Sequence, residues 1–212
     1  MSPSHHPPEE WVLAYVAGSG TEALDLLVAA HATLCPSCRA HIADLEEAAA
    51  HSLAEDAGVP VGSGALDALL AQLDVQDAPR EPLAPHPDGL PMPVRRYLAD
   101  DALPWRFLIP GIQQVELPIV HGDMPVRLLH LAPGLKVPEH THAGLERTLV
   151  LSGGYDDQAG TFERGDLGVR DASTVHVQRI HADAPCVALV VADAPLVPEG
   201  LLSTMLSWFV RA

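Results

Sequence analysis

Two groups of residues in this chain could do chemistry. The first is Cys35-Pro-Ser-Cys38 with His31 four residues before Cys35. Two sulfurs at this spacing reach one ion, and a histidine one helical turn earlier lies on the same face. These three cover one side of a tetrahedron, so a fourth ligand must arrive from elsewhere. His6 is the natural candidate; its neighbour His5 and His41, three residues after Cys38, are the alternatives. A Cys2His2 set suits structural zinc, and its thiolates make such a site oxidisable. The second group is His140-Thr-His142, then Glu146, with His176 further on. Residues two apart on a strand point to one face, and Glu146 can return on the next strand. Three imidazoles and a carboxylate inside a barrel make a divalent-metal site, with Zn as first choice and Fe, Mn or Ni as alternatives.

The elements that must position these groups differ in period. Residues 1–76 read as four helices. The first covers Glu9 to Ala17 and is stopped by Gly18. The second runs from Glu22 to Leu34 behind a Thr21 cap. The third starts at Pro36 and runs toward His51 or beyond, and the fourth covers Ala65 to Leu73. This half is small for a core of its own, which favours a metal staple. Between Pro79 and Pro93 six of fifteen residues are proline. Residues 77–93 are therefore expected to form a semi-extended tether with few contacts across it. From 94 to 212 short apolar runs alternate with Pro and Gly, the texture of an antiparallel barrel or sandwich. The fold expected is α+β in two domains: a zinc-stapled four-helix unit at 1–76, the linker at 77–93, and a β domain at 94–212.

Composition bounds the partners. Twelve Lys+Arg against 28 Asp+Glu give a net charge of −16 over 212 residues. Such a surface repels a phosphate backbone, which argues against direct nucleic-acid binding and for a basic protein partner. The apolar runs fall short of a membrane span and the N-terminus lacks a signal-peptide pattern, so the expected location is cytoplasmic. Three cysteines fit metal or redox chemistry better than a disulfide scaffold. Cys186, within an apolar run, reads as a small buried hydrophobe. His121, His130 and His181 read as barrel surface or polar interior.

The arrangement His6-x24-His31-x3-Cys35-x2-Cys38 resembles the zinc-binding domain of bacterial anti-sigma factors, whose spacing favours His6 over His5. The segment from Gly134 to Gly153 matches the first cupin motif at Gly134, His140, His142, Glu146 and Gly153. The second motif departs from the pattern: Gly165-Asp166 opens it and His176 stands at its histidine, but Asp171, Ser173 and Ile180 replace the proline, glycine and asparagine. Together these features resemble the ChrR family of anti-sigma factors, from His6 to an expected terminal strand around Trp208-Phe209-Val210. The resemblance implies that the helical unit sequesters an extracytoplasmic-function sigma factor about one to one. It further implies that the cupin domain, loaded with a divalent metal, is required for release under singlet oxygen or related oxidative stress, with no catalysis. The rival expectation is a cupin-type metalloenzyme, a dioxygenase or isomerase, with His130 or Glu116 as acid or base. A third is a small-molecule binding protein whose helical half merely dimerises it.

Overall fold

The structure, a computed structural model, describes residues 2–54, 58–73, 89–99, 102–194 and 196–198. Four helices occupy the N-terminal part: α1 (Glu9–Val16), α2 (Glu22–Leu34), α3 (Pro36–Ala54) and α4 (Ala65–Leu73). Their limits follow the capping chemistry of the sequence. The hydroxyl of Thr21 accepts the Leu24 amide at 3.4 Å, and Pro36 opens α3, where its missing N–H costs nothing. Val12, Val28 and Ile42 form a small core between α1, α2 and α3. α4 is different: every described side chain on it is exposed, including Leu66, Leu69 and Leu70. No helix among the described residues is long and apolar enough to cross a membrane.

A short α5 (Met92–Arg95) leads into β1 (Arg106–Ile109), β2 (Ile112–His121), β3 (Met124–Leu131), β4 (His140–His142), β5 (Glu146–Ser152) and β6 (Gly154–Asp157). Then follow β7 (Gly160–Glu163), β8 (Leu167–Arg170), β9 (Arg179–Ile180), β10 (Cys186–Ala192) and β11 (Leu196–Pro198). The strands form a six-stranded sheet in the order β1-β2-β3-β10-β5-β8, a three-stranded sheet β7-β6-β9 and the pair β11-β4. Every pairing is antiparallel.

At β5 and β10 the six-stranded sheet is buried on both faces. On β10, Val187, Leu189 and Val191 point to one side, toward Ala23, Leu26, Leu27 and Ala30 of α2 and Val94 of α5. Cys186 and Ala188 point to the other side, into the barrel. β5 alternates in the same way: Leu149 and Leu151 join the helix-side core, while Glu146, Thr148 and Val150 face inward. A strand covered on both faces has no polar side to show, hence the continuous apolar runs.

This packing corrects the expectation of few contacts across the tether. The helical unit and the β domain share one core, because an apolar sheet face must be covered and α2 supplies the cover. Fully burying a leucine such as Leu27 is worth roughly 1.5–3 kcal/mol, so the contact is a substantial one. The tether's end also differs from the reading of 77–93 as extended chain. Met92 and Pro93 lie in α5, whose first turn tolerates proline. Residues 74–88, and the strand expected around Trp208, lie outside the described residues.

Candidate metal centres

The structure brings His6, His31, Cys35 and Cys38 together. His31 Nε2 stands 3.4 Å from His6 Nδ1 and 3.3 Å from Cys38 Sγ. His6 Nδ1 lies 3.6 Å from Cys35 Sγ and 3.3 Å from Cys38 Sγ. With Zn–N near 2.0–2.1 Å and Zn–S near 2.3 Å, the N···N and N···S edges of a zinc tetrahedron measure about 3.3–3.6 Å and its S···S edge about 3.8 Å. The four residues therefore fit zinc. The two alternatives for the fourth ligand are engaged elsewhere: His5 stacks on Phe162 at 4.2 Å, and His41 Nε2 meets the Glu9 carboxylate at 2.9 Å. Burial pushes both thiols up. In Cys35 hydrogen bonds from the Ser37 hydroxyl and the Cys38 amide outweigh it and leave the thiol below its ordinary value. In Cys38 burial and the neighbouring Cys35 act together, and the thiol rises to about 11.

This group is not confined to the helical unit. His31 Nδ1 donates to the backbone carbonyl of Gly165, in the β7–β8 turn, at 2.7 Å. That bond fixes the ring and leaves Nε2 for an ion, the arrangement metal-binding histidines commonly adopt. The next residue, Asp166, accepts the amides of Ser4 at 2.6 Å and His5 at 2.8 Å, holding the segment that carries His6. Its other oxygen accepts the Glu163 amide at 2.8 Å. Burial works against the Asp166 carboxylate, but these amides outweigh it and hold its pKa below the ordinary value. Gly165 has φ +95°, and a Cβ there would lie 2.5 Å from Pro3, so the close approach of the two units requires glycine. On the neighbouring strand the Arg147 guanidinium lies over the Trp11 ring of α1 at 5.3 Å.

The second group gathers His140, His142 and His176. β4 presents the first two to one side. His140 and His176 are paired across an antiparallel bridge, each amide donating to the other's carbonyl at 3.2 and 3.0 Å. His140 Nδ1 donates to the Pro138 carbonyl at 2.8 Å, leaving Nε2 available. His142 Nε2 faces His176 Nε2 at 3.0 Å. Burial lowers all three pKa values, to about 4 for His142 and His176. Three neutral imidazoles crowded this way fit a divalent ion. Glu146 is at the edge of the group rather than in it. Its Oε2 lies 3.5 Å from His142 Nδ1, and Oε1 accepts the Thr148 hydroxyl at 3.2 Å.

Sequence reasoning missed the supports. Buried Asp157 stands 3.5 Å from His176 Nδ1 and is clamped by Arg170 of β8, Nε donating at 3.0 Å. Two acidic residues at the end of a strand gave no spacing signal for this role. The degraded second motif is explained by a substitute turn. Asp171 Oδ1 accepts the Ser173 amide at 3.0 Å and the Thr174 hydroxyl at 3.0 Å, doing the work of the missing proline and glycine. The acids considered for a catalytic role lie elsewhere. Glu116 pairs with Arg127 at 3.2 Å, and His130 packs against Trp105, both away from the residues lining the barrel cavity. His121 and His181 meet Asp193 and Asp156 at 2.9 and 3.5 Å.

The family model described as the ChrR cupin-like domain matches residues 94–195. The anti-sigma-E factor ChrR of Cereibacter sphaeroides is 34% identical over 213 residues, spanning 100% of both chains. The crystal structure of Rhodobacter sphaeroides SigE in complex with the anti-sigma ChrR matches with a TM-score of 0.75 and 34% identity, covering 91% of this chain and 100% of that one.

Proposed function

This chain belongs to the ChrR family of anti-sigma factors, and from that premise we propose that it holds an extracytoplasmic-function sigma factor inactive in a complex of about one to one. His6, His31, Cys35 and Cys38 hold zinc and shape the helical unit for that grip. His140, His142 and His176, with Glu146 at their edge, hold a divalent metal, zinc first among the candidates, in the β domain. A bound divalent ion there supplies a Lewis-acid centre whose ligand set oxidation or an incoming molecule can change. The helical unit supplies an unpartnered apolar stripe, Leu66, Leu69 and Leu70 on α4, for the partner to cover. The net charge of −16 complements a partner with DNA-binding surfaces.

The observation that carries the reading is the bond from His31 Nδ1 to the Gly165 carbonyl at 2.7 Å. A zinc ligand hangs on the β7–β8 turn, and β8 carries Arg170, which clamps the Asp157 beside His176. The two metal groups therefore lie at opposite ends of one strand, and a rearrangement at the second can reach the first through β8. Release under oxidative stress then amounts to a shift between a gripping and a non-gripping state. Co-expression with the sigma factor tests the reading. The full chain should copurify with it near one to one and suppress transcription from its promoter, and Cys38→Ser should do neither. A chain that binds no sigma factor would refute it.

A further inference from the structure

Glu146, at the edge of the second metal group, and Arg147 are consecutive on β5, so their side chains stand on opposite faces of the sheet. Arg147 faces the helical unit and is 5% exposed. Its Nη1 and Nη2 donate to the Asp193 carboxylate at 2.6 and 3.4 Å, and its guanidinium lies over the Trp11 ring at 5.3 Å. Trp11 packs against both the small helical core and the core shared with the sheet. Asp193 in turn accepts from His121 Nε2 at 2.9 Å. His121 Nδ1 faces the hydroxyl of Thr21, the cap of α2, at 3.4 Å. One buried cation on the strand that carries Glu146 therefore reaches the first turn of α1 directly and the cap of α2 through Asp193 and His121. Stability alone is a weak reason for it. A buried ion pair often gains nothing over apolar residues of the same volume, and Arg147 Nε is buried with no hydrogen-bond partner among the described residues.

We propose that Arg147 is a joint: the position of Glu146 on the barrel face of β5 sets the contact of Arg147 with Trp11 on the helix face, and with it the pose of α1 and α2. The inference rests on the reading of the β domain as a sensor and adds a route separate from the Gly165 bond. Coupling needs a contiguous element that both sites bias. A single residue step through a close-packed sheet is a short one, and such packing transmits a displacement rather than absorbing it.

Tryptophan fluorescence of the full, metal-loaded chain tests this. The chain has three tryptophans, so Trp105→Phe with Trp208→Phe leaves Trp11 as the one indole. In that background, emptying the second metal group with His140→Ala and His176→Ala should shift the Trp11 emission. Adding Arg147→Met, which keeps the length of the side chain without its charge, should abolish the shift with zinc at the first group unchanged. In cells, Arg147→Met should leave the sigma factor bound and cut induction under oxidative stress roughly tenfold, within the usual range of couplings between sites. Should Arg147→Met fail to fold, Asp193→Asn loosens the same joint from its more exposed side and is expected to act alike. Trp11 emission indifferent to the second group, a shift that survives in the folded variant, full induction, or a reporter active without stress would each overturn the proposal. Sigma-factor binding is scored separately on the same preparations. A chain whose Trp11 response depends on Arg147 but that binds no sigma factor removes the anti-sigma reading and leaves the joint standing. The reverse result removes the joint alone.

Discussion

Asp166 shows how much one side chain can carry. It accepts two amides from the N-terminal segment and one from its own turn. Asp166→Ala should destabilise the fold by about 1–3 kcal/mol in all, since the amides it releases are only part-buried. It should also weaken zinc binding on the order of tenfold, the usual effect of losing an outer support. Competition with a chelator measures the second, and unchanged zinc affinity would show that the segment carrying His6 is held by other contacts. The pH dependence has a definite sign. A carboxylate whose folded pKa is lowered contributes its full stabilisation above the ordinary aspartate value of about 3.9 and loses it as pH falls through the folded value. The contact is therefore intact at neutral pH, and chemical denaturation should show this contribution fading only in acid, in the wild type and not in Asp166→Ala. Both metal groups were legible in the sequence at this scale, because ligand chemistry constrains residue type and spacing together. Asp157 and Arg170 were not, since an ion pair that steadies a ligand needs only proximity in space, which no spacing along the chain encodes.

At the scale of elements, α2 and α4 have opposite roles. The face of α2 bearing Ala23, Leu26, Leu27 and Ala30 is consumed by the sheet. Leu27→Ala should therefore destabilise the chain by about 2–5 kcal/mol, read from denaturant unfolding. On α4 the leucines are exposed, so Leu66→Glu with Leu69→Glu should leave folding untouched yet reduce sigma-factor affinity at least tenfold. A double variant that binds normally would place the partner elsewhere. The helix limits were readable because caps and stops are local, at Thr21 and Pro36 for instance. The docking of α2 onto the sheet was harder to read. Its signal lay in β5 and β10, whose unbroken apolar runs demanded cover on both faces, but nothing in those runs names the element that provides it.

For the molecule as a whole, composition drew a boundary at the proline-rich stretch that packing does not respect. A fragment ending near residue 76 keeps the zinc ligands and α4 and should still bind the sigma factor. It loses the Gly165 carbonyl and the sheet that covers α2, so it should unfold at a lower temperature than the full chain and should no longer respond to stress. A fragment as stable as the intact protein would mean that the shared core contributes nothing to the helical unit.

The central claim is that the metal group in the β domain serves release and not inhibition. The direct test is a reporter driven by the sigma factor in cells carrying His140→Ala with His176→Ala, which removes two of the three gathered imidazoles. The variant protein should hold about half the metal of the wild type, one ion in place of two. It should still copurify with the sigma factor, and the reporter should stay silent under singlet oxygen. Induction equal to wild type would show that this ion has no part in sensing, and a reporter active without stress would show that it serves inhibition instead; either result contradicts the account.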